Sequence, residues 1–179
     1  RQLQQNQNGQ PAYCDGITRT NFDGVSDVDN NLATGGGLTY HNVARLQDGT
    51  PVNLVVTNST PYYAPQHTNP PTTGMNSANV GQIGLNLDPF QRPQGECFNF
   101  RYENGNTNQP VDIGSTILTF LDADNVYDGC REAYRVCDSD AQILTSPNSG
   151  LTKTTVNDGC RDIFSSRTEV SNPTNTHSL

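Results

Sequence analysis

Hydrophobic and polar residues alternate with a period of two along several short stretches of the chain. In 51–57 (PVNLVVT), one face carries Val52, Leu54 and Val56, and 95–102 (GECFNFRY) alternates in the same way. This period is that of β-strands with one buried face. Weaker alternation predicts further strands at 38–46, 81–87, 111–121, 131–137, 141–145, 151–156 and 160–167.

Turn-forming dipeptides separate these predicted strands. Asp48-Gly49, Asn104-Gly105, Asp128-Gly129 and Asp158-Gly159 each have the chemistry of a hairpin turn. The composition agrees, because the chain has 16 Gly and 11 Pro and only 32 % hydrophobic residues. We therefore predict an all-β protein, an antiparallel β-sandwich or jelly roll over 21–179.

The first twenty residues differ from the rest. The stretch 1–10 (RQLQQNQNGQ) is polar apart from Leu3. Such a segment cannot bury enough apolar surface to offset the cost of ordering, so we expect another copy of the chain to hold it. Residues 1–20 are predicted to form an extended N-terminal segment, with Leu3, Tyr13 and Ile17 as side-chain anchors for assembly.

Charge narrows the range of partners. The chain carries a net charge of −8, and its only lysine is Lys153. With no basic patch to neutralise phosphates, nucleic acid is not an expected partner. No segment approaches the roughly 20 apolar residues of a membrane-spanning helix. The chain does not start with Met, so we expect a processed, secreted protein.

The five cysteines favour disulfides over a zinc site, because no Cys-x-x-Cys pair occurs. A hairpin-like arrangement of 131–137 and 160–167 would bring Cys137 close to Cys160, and this is the first predicted bond, with Cys130 as the competing partner. A second bond is expected among Cys14, Cys97 and Cys130. Disulfides indicate an extracellular location, as does the single N-glycosylation sequon at Asn58.

Clusters of carboxylates offer a candidate calcium site. Asp122, Asp124 and Asp128 fall in FLDADNVYDGC, and Asp27 and Asp29 repeat the two-residue spacing. Carboxylates at alternate positions suit calcium, although the glycine of a calcium-binding loop is absent and such residues also end strands.

Enzymatic activity is not expected. His41, His67 and His177 accompany no recognisable nucleophile or acid motif. The glycines of 34–37 (TGGG) lack the Lys-Ser/Thr of a phosphate-binding loop.

A long loop at 57–80 is rich in Pro, Asn and Thr. Candidates for O-linked glycans in this loop are Pro70, Pro71, Thr72 and Thr73, although an undecorated loop is an equal expectation. The same loop holds Tyr62 and Tyr63, which are candidates for stacking on sugar rings.

The order of these motifs, DGTPVNLVVT, GQIGLNL, CFNFRYENGNTNQPVDIGSTILTFLDADN, YRVC and NDGC, resembles the secreted jelly-roll domains of algal and other protist surface proteins. The match runs from about Asp48 to Pro173. Within that group the chain is similar to the subunits of helical extracellular glycofibrils from freshwater microbes. The resemblance implies strand donation between neighbours, glycans on Asn58 and on the Pro/Thr loop, and calcium at Asp122 and Asp124.

The expected function follows from the resemblance and from the ending of the chain. Further strands are expected after 172–173, yet the sequence stops at Leu179, so we expect either that the sequence is truncated or that the sheet is incomplete. An incomplete sheet would expose backbone groups that a donated N-terminal segment could satisfy. We therefore expect a homopolymeric structural subunit of an extracellular helical glycoprotein filament. The alternative is a calcium-assisted carbohydrate-binding module.

Overall fold

The chain was examined as a computed structural model. The structure describes residues 20–22, 25, 28–64, 73–75, 81–85, 95–118, 125–127, 130–131, 133–138, 141–144, 150–156 and 158–165, with backbone alone at 125–127, 130–131 and 165. The chain divides into two compact units, Arg1–Leu118 and Thr119–Leu179.

The described residues form strands and one 3-10 turn at Leu32–Thr34, and all paired strands are antiparallel. The all-β, antiparallel prediction is confirmed, and the jelly-roll topology stays a prediction. None of the described segments forms a helix long and apolar enough to cross a membrane. The strands are β1 (Val28–Asn31), β2 (Gly37–Arg45), β3 (Pro51–Asn58), β4 (Gly74–Met75), β5 (Gly81–Gln82), β6 (Phe98–Asn104), β7 (Asn125–Tyr127), β8 (Cys130–Arg131), β9 (Ala133–Val136), β10 (Leu151–Thr155) and β11 (Arg161–Ser165).

The first unit is built on a four-stranded sheet in the order β1-β2-β3-β6. Strand β3 is buried over five consecutive residues, 52–56. The sequence predicts burial of one face only, but Asn53 and Val55 on the other face are 3 % and 5 % exposed. Strand β3 lies between β2 and β6 in the sheet, and the Asn53 side chain accepts a hydrogen bond from the Asn42 N–H of β2.

The core of this unit lies against one face of the sheet. Its centre is a row in which Tyr40, Leu54 and Tyr102 are neighbours across three strands. Loop residues close the core from the other side, among them Tyr62 and Ile113. Burying this apolar face is what orders the sheet, since alternate residues of each strand then leave water together.

A β-bulge interrupts β2 between Tyr40 and Ala44. Asn42 takes a left-handed conformation there, with φ of 59°. Asparagine tolerates this conformation better than most residues, and the Asn42 main-chain N–H donates to the buried Asn53 side chain at 3.1 Å. The bulge lets adjacent Val43 and Ala44 both be buried.

Two hairpins use the same loop chemistry. In the β2–β3 loop, Asp48 accepts a bond from the Thr50 N–H and Gly49 has φ of +85°. In the β10–β11 loop, Asp158 accepts from the Cys160 N–H and Gly159 has φ of +81°. Both loops are Asp-Gly turns that end in a left-handed glycine, so these two turn predictions are confirmed.

The second unit contains a three-stranded sheet in the order β10-β11-β9. Its described core is small, with Cys160 and Ile163 buried. Cys137 and Cys160 form a disulfide, the bond that the sequence places first. Across the two strands β9 and β11, Arg135 donates two hydrogen bonds to Asp162, at 2.7 and 2.8 Å.

Some predicted strands are wrong or shortened. The described part of 111–121 has no strand, because Gly114 turns with φ of +71° and its N–H bonds to the Asp112 carboxylate. The described part of 141–145 has none either. In the described part of 81–87, residues 81–85, the expected strand is limited to β5. The sequence analysis missed β1, β4 and β7.

Candidate functional site

The predicted calcium ligands Asp122, Asp124 and Asp128 lie outside the described residues, as does Asp27. In the part of the chain that the structure describes, no three His, Cys, Asp or Glu side chains group closely enough to hold a metal ion. Asp29 is instead beside His41, with its Oδ2 atom 3.1 Å from His41 Nε2 on neighbouring strands. Calcium therefore stays a prediction.

The predicted assembly anchors Leu3, Tyr13 and Ile17 also lie outside the described residues. The structure does describe where the N-terminal segment joins the first unit. The Asn21 main-chain N–H donates to the Val43 carbonyl at 2.7 Å, and the Phe22 ring packs edge-on against Tyr40 at 5.3 Å. Residues 21 and 22 are thus fixed on the bulged strand β2.

Tyr62 belongs to the core and is 8 % exposed. Its ring packs edge-on against Phe98, and its hydroxyl donates to the Gly84 carbonyl at 2.8 Å. Burial raises the pKa of this hydroxyl, while its bond with Thr73 acts in the opposite direction. Tyr62 therefore offers no open face on which a sugar ring could stack, and the expectation for this residue is corrected.

Tyr40 forms hydrogen bonds to β4 and β5. Its hydroxyl lies 3.1 Å from the Gly74 carbonyl and 3.3 Å from the Gln82 carbonyl. Burial raises the pKa of this hydroxyl well above its usual value. Both buried tyrosines therefore attach β4, β5 and the adjoining loop to the sheet.

Thr73 is a predicted O-glycosylation site whose hydroxyl is already engaged. Its Oγ1 accepts from the Gly84 N–H at 3.0 Å and lies 2.6 Å from the Tyr62 hydroxyl. An O-linked sugar would replace the hydroxyl proton and remove its donor role. The other predicted O-linked positions, Pro70, Pro71 and Thr72, and also His67 and His177, lie outside the described residues.

The sequon Asn58-Ser59-Thr60 begins at the last residue of β3. The Asn58 side-chain amide donates to the Thr60 carbonyl at 2.7 Å. The Ser59 N–H donates to the Cys97 carbonyl, and the Thr60 hydroxyl accepts from the Cys97 N–H, both at 2.9 Å. The Cys97 backbone therefore fixes the two residues that follow Asn58.

Cys97 itself carries an exposed free thiol. Cys14 lies outside the described residues, and only the backbone of Cys130 is described. The second predicted disulfide therefore stays a prediction.

The edge strand β10 of the three-stranded sheet is the most distinctive feature of the second unit. Strand β10 is at one end of its sheet, and residues 152–155 are exposed on both faces. The alternation of hydrophobic residues predicts β10 as a strand, but it does not predict that both faces of this strand are exposed. The sequence 151–155 (LTKTT) could have indicated this exposure, because neither face of the strand has two apolar residues.

The β10 edge can pair with another chain, since edge strands present unpaired backbone groups. Comparison with known proteins supplies no independent guide to function: no family model, no curated protein and no solved structure matches this chain.

Proposed function

We propose that the chain is a structural subunit of an extracellular helical glycoprotein filament. In this proposal, residues 1–20 of one subunit add a strand to a sheet of the next. Each subunit both gives and receives a strand, so the contact is heterologous and does not close, and repetition produces a filament.

The observation that supports this most is that each of the two larger sheets ends in a strand with a described neighbour on one side only. Strand β1 pairs with β2 alone, and β10 pairs with β11 alone, among the described strands. An edge strand presents N–H and C=O groups that an extended peptide can satisfy with main-chain bonds. Such bonds do not require apolar side chains, which suits the polar composition of 1–10.

The junction of the N-terminal segment with the first unit also supports strand donation. Asn21 and Phe22 hold the chain on β2 through a main-chain bond and a ring contact. A donated segment that starts from a fixed point transmits a defined orientation from one subunit to the next. A loosely tethered segment would link subunits without setting their helical geometry.

The extracellular location draws support from the Cys137–Cys160 disulfide, because such bonds persist in oxidising compartments. The glycoprotein part of the proposal rests on the Asn58 sequon, which is half-buried at the end of β3.

The carbohydrate-binding alternative has less support. Of the tyrosine side chains that the structure describes, Tyr63 alone is in the exposed class, at 38 %. Its main-chain N–H donates to the Glu96 carboxylate at 2.9 Å. Sugar binding by stacking would depend on this ring and on that of Phe100, which is also 38 % exposed.

Deletion of residues 1–15 tests the filament proposal. Native protein examined by negative-stain electron microscopy should form regular filaments. The shortened chain should remain folded by circular dichroism and run as a monomer in size-exclusion chromatography, because Asn21 and Phe22 are retained. Filaments formed by the shortened chain would refute donation by this segment. Dispersed particles from the native chain would favour the carbohydrate-binding alternative.

A further inference from the structure

We infer that β10 is the edge that receives the N-terminal segment of the neighbouring subunit. This inference rests on the proposed function and deepens it by naming the acceptor. It is argued from the direction of the β10 backbone groups, from the exposure of both its faces, and from how the other edges are occupied.

The β10–β11 register determines which backbone groups point outward. The Val156 N–H donates to the Cys160 carbonyl at 3.0 Å, so this pair is hydrogen-bonded. Hydrogen-bonded and non-hydrogen-bonded pairs alternate along an antiparallel ladder. Thr154 and Thr152 therefore bond to β11, while Lys153 and Thr155 direct their N–H and C=O groups to the open edge. A peptide at this edge can form a ladder with them.

The side chains of β10 indicate what kind of strand would fit. Residues 152–155 are exposed, and this stretch consists of three threonines and one lysine without an apolar face. A strand added beside it would have water on both faces, so it should be polar at nearly every position. The stretch 1–10 has this composition, with Leu3 as its single apolar side chain.

The edge of β6 is partly covered within the same chain. The Asn104 N–H donates to the Gln109 carbonyl at 2.9 Å, and the Val111 N–H donates to the Tyr102 carbonyl at 3.0 Å. The chain that follows β6 thus folds back along it, which leaves less of this edge for a donated strand.

The edge of β1 is short. It spans four residues, and its Asp29 pairs with His41 while the Asn30 amide reaches the Thr73 carbonyl. Exposed charge and short length are features that discourage edge pairing. Strand β9 also spans four residues and carries the charged Arg135.

Strand β10 has fewer of the features that discourage pairing at the other edges. It spans five residues in unbroken register with β11 and contains no proline. Its one charge is Lys153, whose ammonium group is engaged in a hydrogen bond to the Ile143 carbonyl at 3.1 Å. Threonine also favours the extended conformation.

The substitution Thr155→Pro tests the acceptor edge. Proline removes the outward N–H of residue 155 without removing a bond to β11, and its ring obstructs a strand on that side. Thr155→Pro should remain folded and fail to form filaments. Gln47→Pro, in the exposed β2–β3 turn, is the matched control and should assemble normally, since proline suits this turn position.

Mixing two variants tests donor and acceptor together. The chain lacking 1–15 keeps the acceptor edge, and Thr155→Pro keeps the donor. Each should be monomeric alone, and an equimolar mixture should give one-to-one dimers and no longer species in analytical ultracentrifugation. If Thr155→Pro forms filaments while the shortened chain does not, the acceptor is another edge and the inference is refuted, but the proposed function stands. If the shortened chain assembles, donation itself is refuted.

Amide hydrogen exchange provides a measurement on the unsubstituted chain in case Thr155→Pro misfolds. The Lys153 and Thr155 amides should exchange at least tenfold more slowly in filaments than in the monomeric shortened chain. The Thr154 amide, which is bonded to β11 in both states, is the internal reference. Equal exchange of Lys153 and Thr155 in the two states would refute β10 as the acceptor.

Discussion

At the scale of single residues, the Thr73 hydroxyl connects three segments of the first unit. The Tyr62 hydroxyl has one proton, which it gives to the Gly84 carbonyl. The Thr73 hydroxyl must then donate its own proton to Tyr62 while accepting from the Gly84 N–H. Both roles of one small hydroxyl are used, so its removal leaves the Gly84 N–H without its acceptor and takes one donor from the Tyr62 oxygen, which keeps its bond to the Gly84 carbonyl.

Thr73→Val should therefore lower the free energy of unfolding by about 1–3 kcal/mol, the usual cost of leaving buried polar groups unsatisfied. Thr73→Ser keeps the hydroxyl and is the matched control, with a smaller expected loss. Urea denaturation of both variants measures the difference. Equal losses for valine and serine would show that the methyl group of Thr73, and not its hydroxyl, supports the fold.

The tyrosines also show a limit of sequence reasoning at this scale. Tyr62 and Tyr63 are neighbours in a polar, Pro-rich loop, and composition treats them alike. The structure buries Tyr62 and exposes Tyr63 because only Tyr62 reaches Phe98 and the Gly84 carbonyl. Both partners are more than 20 residues away along the chain, so no local pattern could distinguish the two rings.

At the scale of elements, the two Asp-Gly hairpins share one construction. Each aspartate accepts a main-chain bond two residues ahead. At Asp48, its bonds with Thr50 lower the pKa of the carboxyl. The glycine that follows takes a left-handed conformation that L-residues adopt only with strain.

Gly49→Ala and Gly159→Ala should each destabilise the protein by about 1 kcal/mol, because alanine is strained at positive φ. Gly95→Ala is the matched control, since Gly95 does not have positive φ and no atom lies within 4 Å of an added Cβ. Chemical denaturation of the three variants measures the effect. A loss at Gly95 as large as at the hairpin glycines would contradict this account.

The elements that could be predicted from the sequence are those with clear alternation or turn chemistry. Strands β2, β3, β6, β10 and β11 all lie within one to three residues of their predicted bounds. Strand β1 was missed because its sequence, VDNN, holds one apolar residue. Strand β1 is held against β2 by Val28, which lies beside Tyr40 and packs on the core.

The predicted strand at 141–145 failed for a different reason. Its apolar alternation is real, but Arg161 donates to the carbonyls of Asp138 and Ala141, and Lys153 donates to that of Ile143. Cationic side chains from β10 and β11 thus take main-chain acceptors that a neighbouring strand would otherwise use. The hydrophobic pattern of a segment does not show whether its carbonyl groups will bond to side chains or to a neighbouring strand.

At the scale of the whole molecule, the two units differ in how they are stabilised. The first has a broad apolar core, whereas the described residues of the second include few buried ones, a disulfide and a paired Arg135 and Asp162. Hydrogen bonds from Arg135 lower the pKa of the Asp162 carboxyl. A small sheet with little apolar burial depends more on a covalent link.

The Cys137→Ser/Cys160→Ser double variant should therefore lose about 2–4 kcal/mol of stability in the second unit. Amide exchange should accelerate in β9, β10 and β11 and remain unchanged in β2 and β3. Cys97→Ser is the control, because this exposed thiol forms no disulfide, and it should alter neither unit. Equal acceleration in β2 and β3 would show that the bond stabilises the whole chain.

The contacts of the sequon also set an order of events during biosynthesis. Residues 58–60 leave the ribosome well before Cys97, which is 37 residues beyond Thr60. A transferase reads the asparagine together with the hydroxyl residue two positions later, and the Cys97 N–H occupies that hydroxyl once β6 has paired with β3. If Asn58 carries a glycan, as proposed, the sugar must be added while the nascent chain is still short of β6. Translation speed over this interval would then set the fraction of chains that carry it.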